Sequence, residues 1–313
     1  MLARQERKNI VALEHCRGYR RDEVKALVEG MSVRLGLHNL HGRTVLLKPN
    51  FISSRGPRLA CTHAEVVVGT AGWFIDNGAR VLVGDSPAFG SVGRVCQHLG
   101  MKAGLAAMGV ECVEFTTPVK KLLSCGTEVT VAAEPLDCDL LVGLPKVKAH
   151  DQLYVTLAVK NLFGIVKGMH KAMLHMTRGT SHDRFAELIL GLVDLVPDQV
   201  HFIDGVTVMH RSGPLHGDPL SLHLFGGARN PVCLDNALLD VLELNPEMSP
   251  LWRAANRQKK VATVSADIKY TGRRPEEFHG SGFVPPTALD AIRFNPFRFF
   301  RGMVKRAVFR AGG

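Results

Sequence analysis

The chain has 313 residues, 46% hydrophobic and 22% charged, with 31 Gly, 16 Pro and 6% aromatic side chains. This composition excludes a chain disordered throughout, a collagen and a coiled coil, and leaves one large globular domain or two small ones. The formal net charge is +10, yet residues 1–251 hold 26 Lys and Arg against 25 Asp and Glu, while residues 252–313 hold 13 against 4; a body so nearly neutral gives no case for general nucleic-acid binding.

In chain order, Asn9 to His15 reads as an edge strand, and Asp22 to Leu35 as a helix with Val24, Leu27, Val28, Met31 and Leu35 at helical spacing. Thr44 to Leu47 is a buried strand stopped at Lys48-Pro49-Asn50. Thr62 with Glu65 three residues on has the capping-box pattern, opening a helix that runs to Asn77-Gly78. Ala79 to Gly84 is the next strand, with Asp85-Ser86-Pro87 as its exit. A helix from Val92 to Met108, a strand over Val110 to Phe115 and a hairpin arm at Glu128 to Ala132 follow. Asp139 to Leu144 is a buried strand that exits at Pro145-Lys146-Val147-Lys148-Ala149-His150; Tyr154 to Phe163 is helical, and Gly164 to Thr180 is a loop rich in Gly, Lys and His. Phe185 to Val196 reads as a helix, Val200 to Ile203 as a strand with Asp204-Gly205 at its exit, Leu220 to Phe225 as a strand and Pro231 to Leu242 as a helix. The alternation predicts an α/β fold: a doubly wound, mostly parallel sheet with helices on both faces. Residues 1–250 form that domain and residues 251–313 a basic C-terminal extension.

Ligands of open α/β sheets bind beyond the carboxyl ends of the strands, so the polar residues at the exits are the candidates. Lys48, Asn50, Asp85, Ser86, Lys146, Lys148, His150 and Asp204 lie at four of them. Lys160-Asn161-Leu162-Phe163-Gly164 with Lys167, His170, Lys171 and His175 adds further basic groups, which form a cationic cleft if they face the exits. Lysine there is a compact charge suited to a phosphate or carboxylate. His63, directly after the capping Thr62, lies at a positive helix end and is expected neutral. No dinucleotide-binding, phosphate-loop or nucleophile-elbow glycine signature is present.

Cys16, Cys61, Cys96, Cys112, Cys125, Cys138 and Cys233 are never closer than thirteen positions, unlike any zinc or iron–sulfur spacing, so an iron–sulfur cluster is not expected. Free thiols in a reducing cytoplasm are the expectation. The apolar stretch Val66 to Ile75 is about half of the ~20 residues a bilayer span requires, and the first 21 residues do not read as a signal peptide.

The ordered motifs Lys48-Pro49-Asn50, Thr62-His63-x-Glu65, Gly84-Asp85-Ser86-Pro87, Leu144-Pro145-Lys146-x-Lys148-x-His150, Lys160-Asn161-Leu162-Phe163-Gly164, Lys171-x-x-x-His175, Asp204-Gly205, Gly213-Pro214-x-x-Gly217 and Pro231-Val232-x-Leu234-Asp235 resemble the domain of unknown function 362 family over about residues 40–245. The resemblance implies an α/β fold and the convergence of the polar members of these motifs. Many relatives carry ferredoxin-type cysteine repeats, which implies redox work for those members; this chain has none.

Phe294 to Arg310 places Phe297, Phe300, Val304 and Val308 on one side of a helix, with Arg298, Arg301, Lys305, Arg306 and Arg310 on the other. Such a basic amphipathic helix suits its own domain, an anionic membrane surface or a protein partner.

The leading expectation is an enzyme for a small anionic substrate. In it His63, Lys146, His150, Lys160 and His175 carry the chemistry, and Lys48, Asn50, Asp85, Ser86, Lys148, Asn161, Lys171 and Asp204 hold the substrate. The reaction is proton transfer or a reduction fed by a redox partner. The alternatives are a metal- or iron–sulfur-linked carrier, with no ligand set assignable, and a membrane-surface adaptor acting through the tail. The expected location is cytoplasmic, at a membrane surface if the tail anchors there.

Overall fold

In the computed structural model, residues 9–178, 181–260 and 267–290 are described. Strand β1 (Ile10–His15) leads to helix α1 (Arg21–Arg34), β2 (Thr44–Pro49), α2 (Ala64–Asp76), β3 (Arg80–Asp85), α3 (Val92–Leu99), α4 (Lys102–Ala107) and β4 (Glu111–Glu114). Then come the hairpin strands β5 (Pro118–Leu122) and β6 (Glu128–Ala132), α5 (Glu134–Asp137), β7 (Leu140–Leu144), β8 (Lys146–His150) and β9 (Tyr154–Thr156). Helices α6 (Ala158–Asn161), α7 (Gly168–Arg178) and α8 (His182–Gly191) precede the long strands β10 (Gln199–His210) and β11 (Asp218–Ala228); α9 (Pro231–Val241), α10 (Pro250–Arg257) and β12 (Lys269–Gly272) follow.

The main sheet runs in the order β12-β1-β11-β10-β7-β2-β3-β4, with β8 and β9 attached alongside β10. Strands β4, β3, β2, β7 and β10 are mutually parallel; β11 is antiparallel to both its neighbours. The fold is thus a mixed α/β architecture with a mostly parallel central sheet. Alternate residues of the central strands enter different cores. Val45 and Leu47 pack on the side of α1–α4, whereas Leu46 and Leu141 pack on the side of α6, α8 and α10. This period of two decides which face receives Lys48, Gly143 and His201, which are cross-strand neighbours on the second face.

Several elements differ from the sequence reading. β1 is not an edge strand, because β12 pairs with it in parallel from beyond residue 250. The helix expected over Val92 to Met108 is two helices, divided at Gly100, whose φ of 83° ends α3 in the left-handed region that glycine tolerates. Tyr154, expected helical, opens β9 with a φ of 70°; only Ala158–Asn161 of that stretch is α-helical, followed by a 3₁₀ turn over Leu162–Ile165. Conversely, the expected loop after Gly164 contains α7. The basic segment 294–310 lies outside the described residues.

Candidate active site

Lys48 and Asp85 stand at the carboxyl ends of β2 and β3, where apolar strand bodies give way to polar residues. Their ion pair is 2.9 Å long and buried. Asp85 also accepts hydrogen bonds from the backbone N–H groups of Phe51 (2.9 Å) and Ser86 (2.8 Å), which hold its carboxylate in one orientation. From Lys48 a relay of amides runs across the floor. Asn161 donates to the Lys48 carbonyl (3.1 Å) and its Oδ1 accepts from Asn50 (3.0 Å); the Asn50 Oδ1 in turn accepts from Lys148 Nζ (2.6 Å). Gly164 closes this floor at near contact, since a Cβ there would come within 2.2 Å of Lys48 Nζ and 2.4 Å of Asp85 Oδ1.

Above the floor is a cavity of about 950 Å³. Lys48, Asn50, Asp85, Ser86, Lys148, His150, Lys160, Asn161, Lys171 and His175 line it, together with Phe51, Ile52, Phe89, Thr156, Phe163 and Gly164. Ten of the thirteen predicted site residues are therefore brought together. Four lysines face a single floor carboxylate, Asp85; Asp151 and Asp290 contribute to the lining near the Gly213-Pro214 loop, where Asp151 accepts from the backbone of Gly213.

Burial disfavours the charged form of each amine, and the neighbouring ammonium groups add to it. Burial first, then the field of Lys160 and Lys146, brings Lys148 down to about 7 despite opposing help from Cys61. Lys171 is lowered to about 7 by burial, and Lys160 to about 8 by burial and the Lys48 charge. His175 falls to about 4 through burial and the fields of Lys160 and Lys171, and His150 lies well below its ordinary value for the same kind of reason. At neutral pH the cavity thus combines neutral imidazoles with amines that exchange protons readily.

The other three predicted residues belong to an adjacent buried network. Lys146 Nζ donates to Asp204 Oδ2 and to the Tyr19 hydroxyl, each at 2.8 Å, and Tyr19 donates to Asp204 Oδ1 at 2.9 Å. The His63 backbone N–H also binds Asp204 (2.9 Å), and its ring stacks on Tyr19 at 3.6 Å between centroids. Lys146, Asp204 and His63 do not line the cavity. They tie β8, β10, α2 and the β1–α1 loop into one unit.

Two local readings are corrected here. The segment Lys146–His150 is no exit loop but strand β8, parallel to β10 and antiparallel to β9, so Asp204 lies within β10 opposite Lys146. Lys146, Lys148 and His150 are the polar face of that strand, while Val147 and Ala149 enter the core against α9. The cap of α2 is His63, whose Nδ1 accepts from Glu65 N at 3.2 Å; Thr62 instead accepts from Asn50 N (2.8 Å) and donates to the Leu144 carbonyl (2.6 Å), joining β2 to β7.

The sequence reading also missed contributors. Thr156 is 1% exposed and faces the cavity, and among the described residues its hydroxyl has no hydrogen-bond partner. His201 packs where a Cβ on Gly143 would be, with burial and the Lys48 charge lowering it to about 3. Tyr19 is a single aromatic residue in a loop, with no pattern to mark it.

All seven cysteines are free thiols, and the described residues contain no group of three His, Cys, Asp or Glu side chains placed to hold a metal. No helix of the described residues is long and apolar enough to cross a membrane.

Fold and cavity together define a mixed α/β protein with a lysine-lined pocket at the carboxyl edge of a mostly parallel sheet. The chain belongs to the domain of unknown function 362 family, whose model matches residues 45–240. It is 32% identical over 271 residues to a thylakoid-associated protein of Synechocystis sp., covering 86% of this chain and 84% of that one. Among solved structures it is similar to the lactate racemase apoprotein of Thermoanaerobacterium thermosaccharolyticum (TM-score 0.45, 12% identity, 76% of this chain, 59% of that one). It is also similar to a Thermotoga maritima protein (TM-score 0.42, 11% identity, 66% of this chain, 55% of that one). The chain thus spans a little over half of each of those two structures.

Proposed function

We propose that this protein is an enzyme that binds a small phosphate- or carboxylate-bearing substrate in the lysine-lined cavity and transfers protons there. One observation carries the reading: among the described residues, of the four cavity lysines only Lys48 has a carboxylate partner, while Lys148 donates to Asn50 and the Ala60 carbonyl, and Lys171 to the Ser86 carbonyl. Buried ammonium groups facing neutral acceptors are costly, and an anion offsets that cost. Amines brought to about 7 and about 8 supply acid and base forms near neutral pH, the condition for general acid–base work.

The test is calorimetric titration of the full chain with inorganic phosphate, and with acetate, against Lys148→Met and Lys171→Met. Saturable binding of either anion that weakens at least about tenfold in both variants is expected. Binding no stronger than that of chloride, or equal in all three proteins, would sink the reading.

A second reading concerns location. The relative from Synechocystis sp., alike over most of both chains, carries a thylakoid association in its name. Together with the basic amphipathic pattern of residues 294–310, this favours a peripheral membrane position for this chain. Its seven free thiols suit a reducing compartment such as the cytoplasm. Flotation of the full chain with anionic but not neutral vesicles is the expected outcome; equal flotation of a chain ending at Gly280 would remove the tail as the anchor.

A further inference from the structure

The anion-binding reading leaves open which cavity amine does chemistry. Three of the four are occupied. Lys48 is paired with Asp85, Lys148 is held by Asn50 and Ala60, and Lys171 by the carbonyl of Ser86. Lys160 differs, since among the described residues its Nζ has no hydrogen-bond or ion-pair partner and instead lies over the face of Phe163, 5.2 Å from the ring centroid. It is also electrostatically central, because its charge acts on Lys148, Lys171, His150 and His175 alike. The hydroxyl of Thr156, buried in the same lining, offers a further hydrogen bond that no group among the described residues takes.

We infer that Lys160 is the nucleophile of this cavity and that the substrate is an anionic carbonyl compound, an oxo acid or a phosphorylated aldehyde or ketone, which Lys160 holds as an imine. The inference rests on the anion-binding reading above. Lys148 and Lys171 hold the anionic group, which leaves the carbonyl to the one amine with no polar partner. The Lys160 lone pair forms the C–N bond as the carbonyl π pair moves to oxygen, which takes a proton from a neighbouring ammonium. One of the amine's two hydrogens returns to the neighbour that gave its proton, the other joins the departing hydroxyl, and the carbinolamine collapses to the imine with the net loss of one water. No oxidant or reductant is consumed. Neutral His175, with one N–H and one lone pair, relays the protons, while His150, whose Nδ1 accepts from the Gln152 backbone N–H at 3.2 Å, presents its other ring nitrogen as an N–H donor. An amine lowered to about 8 supplies the free base that attack requires without strongly alkaline conditions.

The experiment uses the full-length protein with pyruvate and, separately, dihydroxyacetone phosphate, each with cyanoborohydride to fix any imine as a secondary amine, followed by peptide mass mapping. Lys120, 74% exposed, is the internal reference for indiscriminate reaction. At least about tenfold more labelling of Lys160 than of Lys120 by one probe, suppressed by inorganic phosphate, is expected. The preferred probe tells whether carboxylate or phosphate is the anion. Lys160→Arg, checked for folding by circular dichroism, keeps the positive charge and is expected to lose the adduct while still binding phosphate. Labelling of Lys160 no greater than that of Lys120 with both probes, or an adduct on Lys148 or Lys171 instead, overturns the inference. If phosphate still binds in that case, the anion site stands without the imine; if phosphate does not bind, both readings fall.

Discussion

Lys48 and Asp85, at the ends of neighbouring parallel strands, meet at 2.9 Å with 1% and 4% of their side-chain surfaces exposed. A charge this deep is tolerated because it is paired and because Asp85 also satisfies two backbone N–H groups. Asp85→Asn keeps the shape but leaves the Lys48 charge without its partner and turns an amide N–H toward other donors. The expected loss is about 3–5 kcal/mol, read from urea unfolding. Adding Lys48→Met to Asp85→Asn removes the orphaned charge, and the double variant is expected to recover part of that loss. A double variant no more stable than Asp85→Asn alone would show that the ion pair is not what couples these residues.

The two lysine environments predict opposite responses to the same replacement. Lys146→Met strands Asp204, which is 0% exposed, and breaks the bond to Tyr19, so a loss of about 3–5 kcal/mol is expected. Lys160→Met removes a partly buried ammonium with no polar partner among the described residues. Its proton affinity is lowered on folding, from an ordinary value near 10.5 to about 8. Between those values the unfolded chain binds more protons than the folded one, so this group's contribution to stability rises with pH across that window and is least favourable below it. Lys160→Met is therefore expected to stabilise the protein at pH 6, on the order of 1–2 kcal/mol, with the difference shrinking toward pH 10. A destabilised Lys160→Met at pH 6 would mean that Lys160 has a partner in the folded protein.

Anion binding should take up protons. An anion favours the ammonium forms of Lys148, Lys160 and Lys171, which burial and neighbouring charges bring to about 7, about 8 and about 7. Phosphate titrations at pH 8 in buffers of different ionisation heat are expected to give enthalpies that differ by the buffer term, with net uptake of about one proton or more. Affinity should fall between pH 6 and pH 10 as the amines lose charge. Proton release on binding, or an affinity that rises over this range, would contradict the assignment of these lysines to the site.

Much of this site was legible because parallel strands are apolar until they end, so Lys48 and Asp85 stood out where the apolar runs stopped. The stretch after Pro145 misled for a physical reason. Lysines alternating with Val147 and Ala149 resemble a half-exposed edge, yet here the polar face of β8 is turned onto the cavity and the Tyr19 network, and all five residues are buried. The partners that make this tolerable are remote in sequence, Tyr19 lying 127 positions from Lys146 and Asp204 lying 58 away, and no local pattern encodes such a pairing. Helix boundaries failed where one backbone conformation decided them, as at Gly100 and Tyr154.

Gly164 tests whether the floor must be closed by bare backbone. Its position after α6 brings the chain against both partners of the Lys48–Asp85 pair, and a methyl group there would overlap Lys48 Nζ at 2.2 Å and Asp85 Oδ1 at 2.4 Å. Neither can retreat freely, because Asp85 is held by the N–H groups of Phe51 and Ser86 and Lys48 is enclosed by Asn161 and its own strand. Gly164→Ala is therefore expected to cost about 1–3 kcal/mol by overpacking and to weaken phosphate binding, since the turn that carries Lys160 must shift to admit the methyl group. Gly93→Ala in α3 is the control, because a Cβ there meets no atom within 4 Å and the residue lies outside the cavity lining. If the two alanine variants unfold at the same urea concentration and bind phosphate equally, the close approach at Gly164 has no part in shaping the cavity.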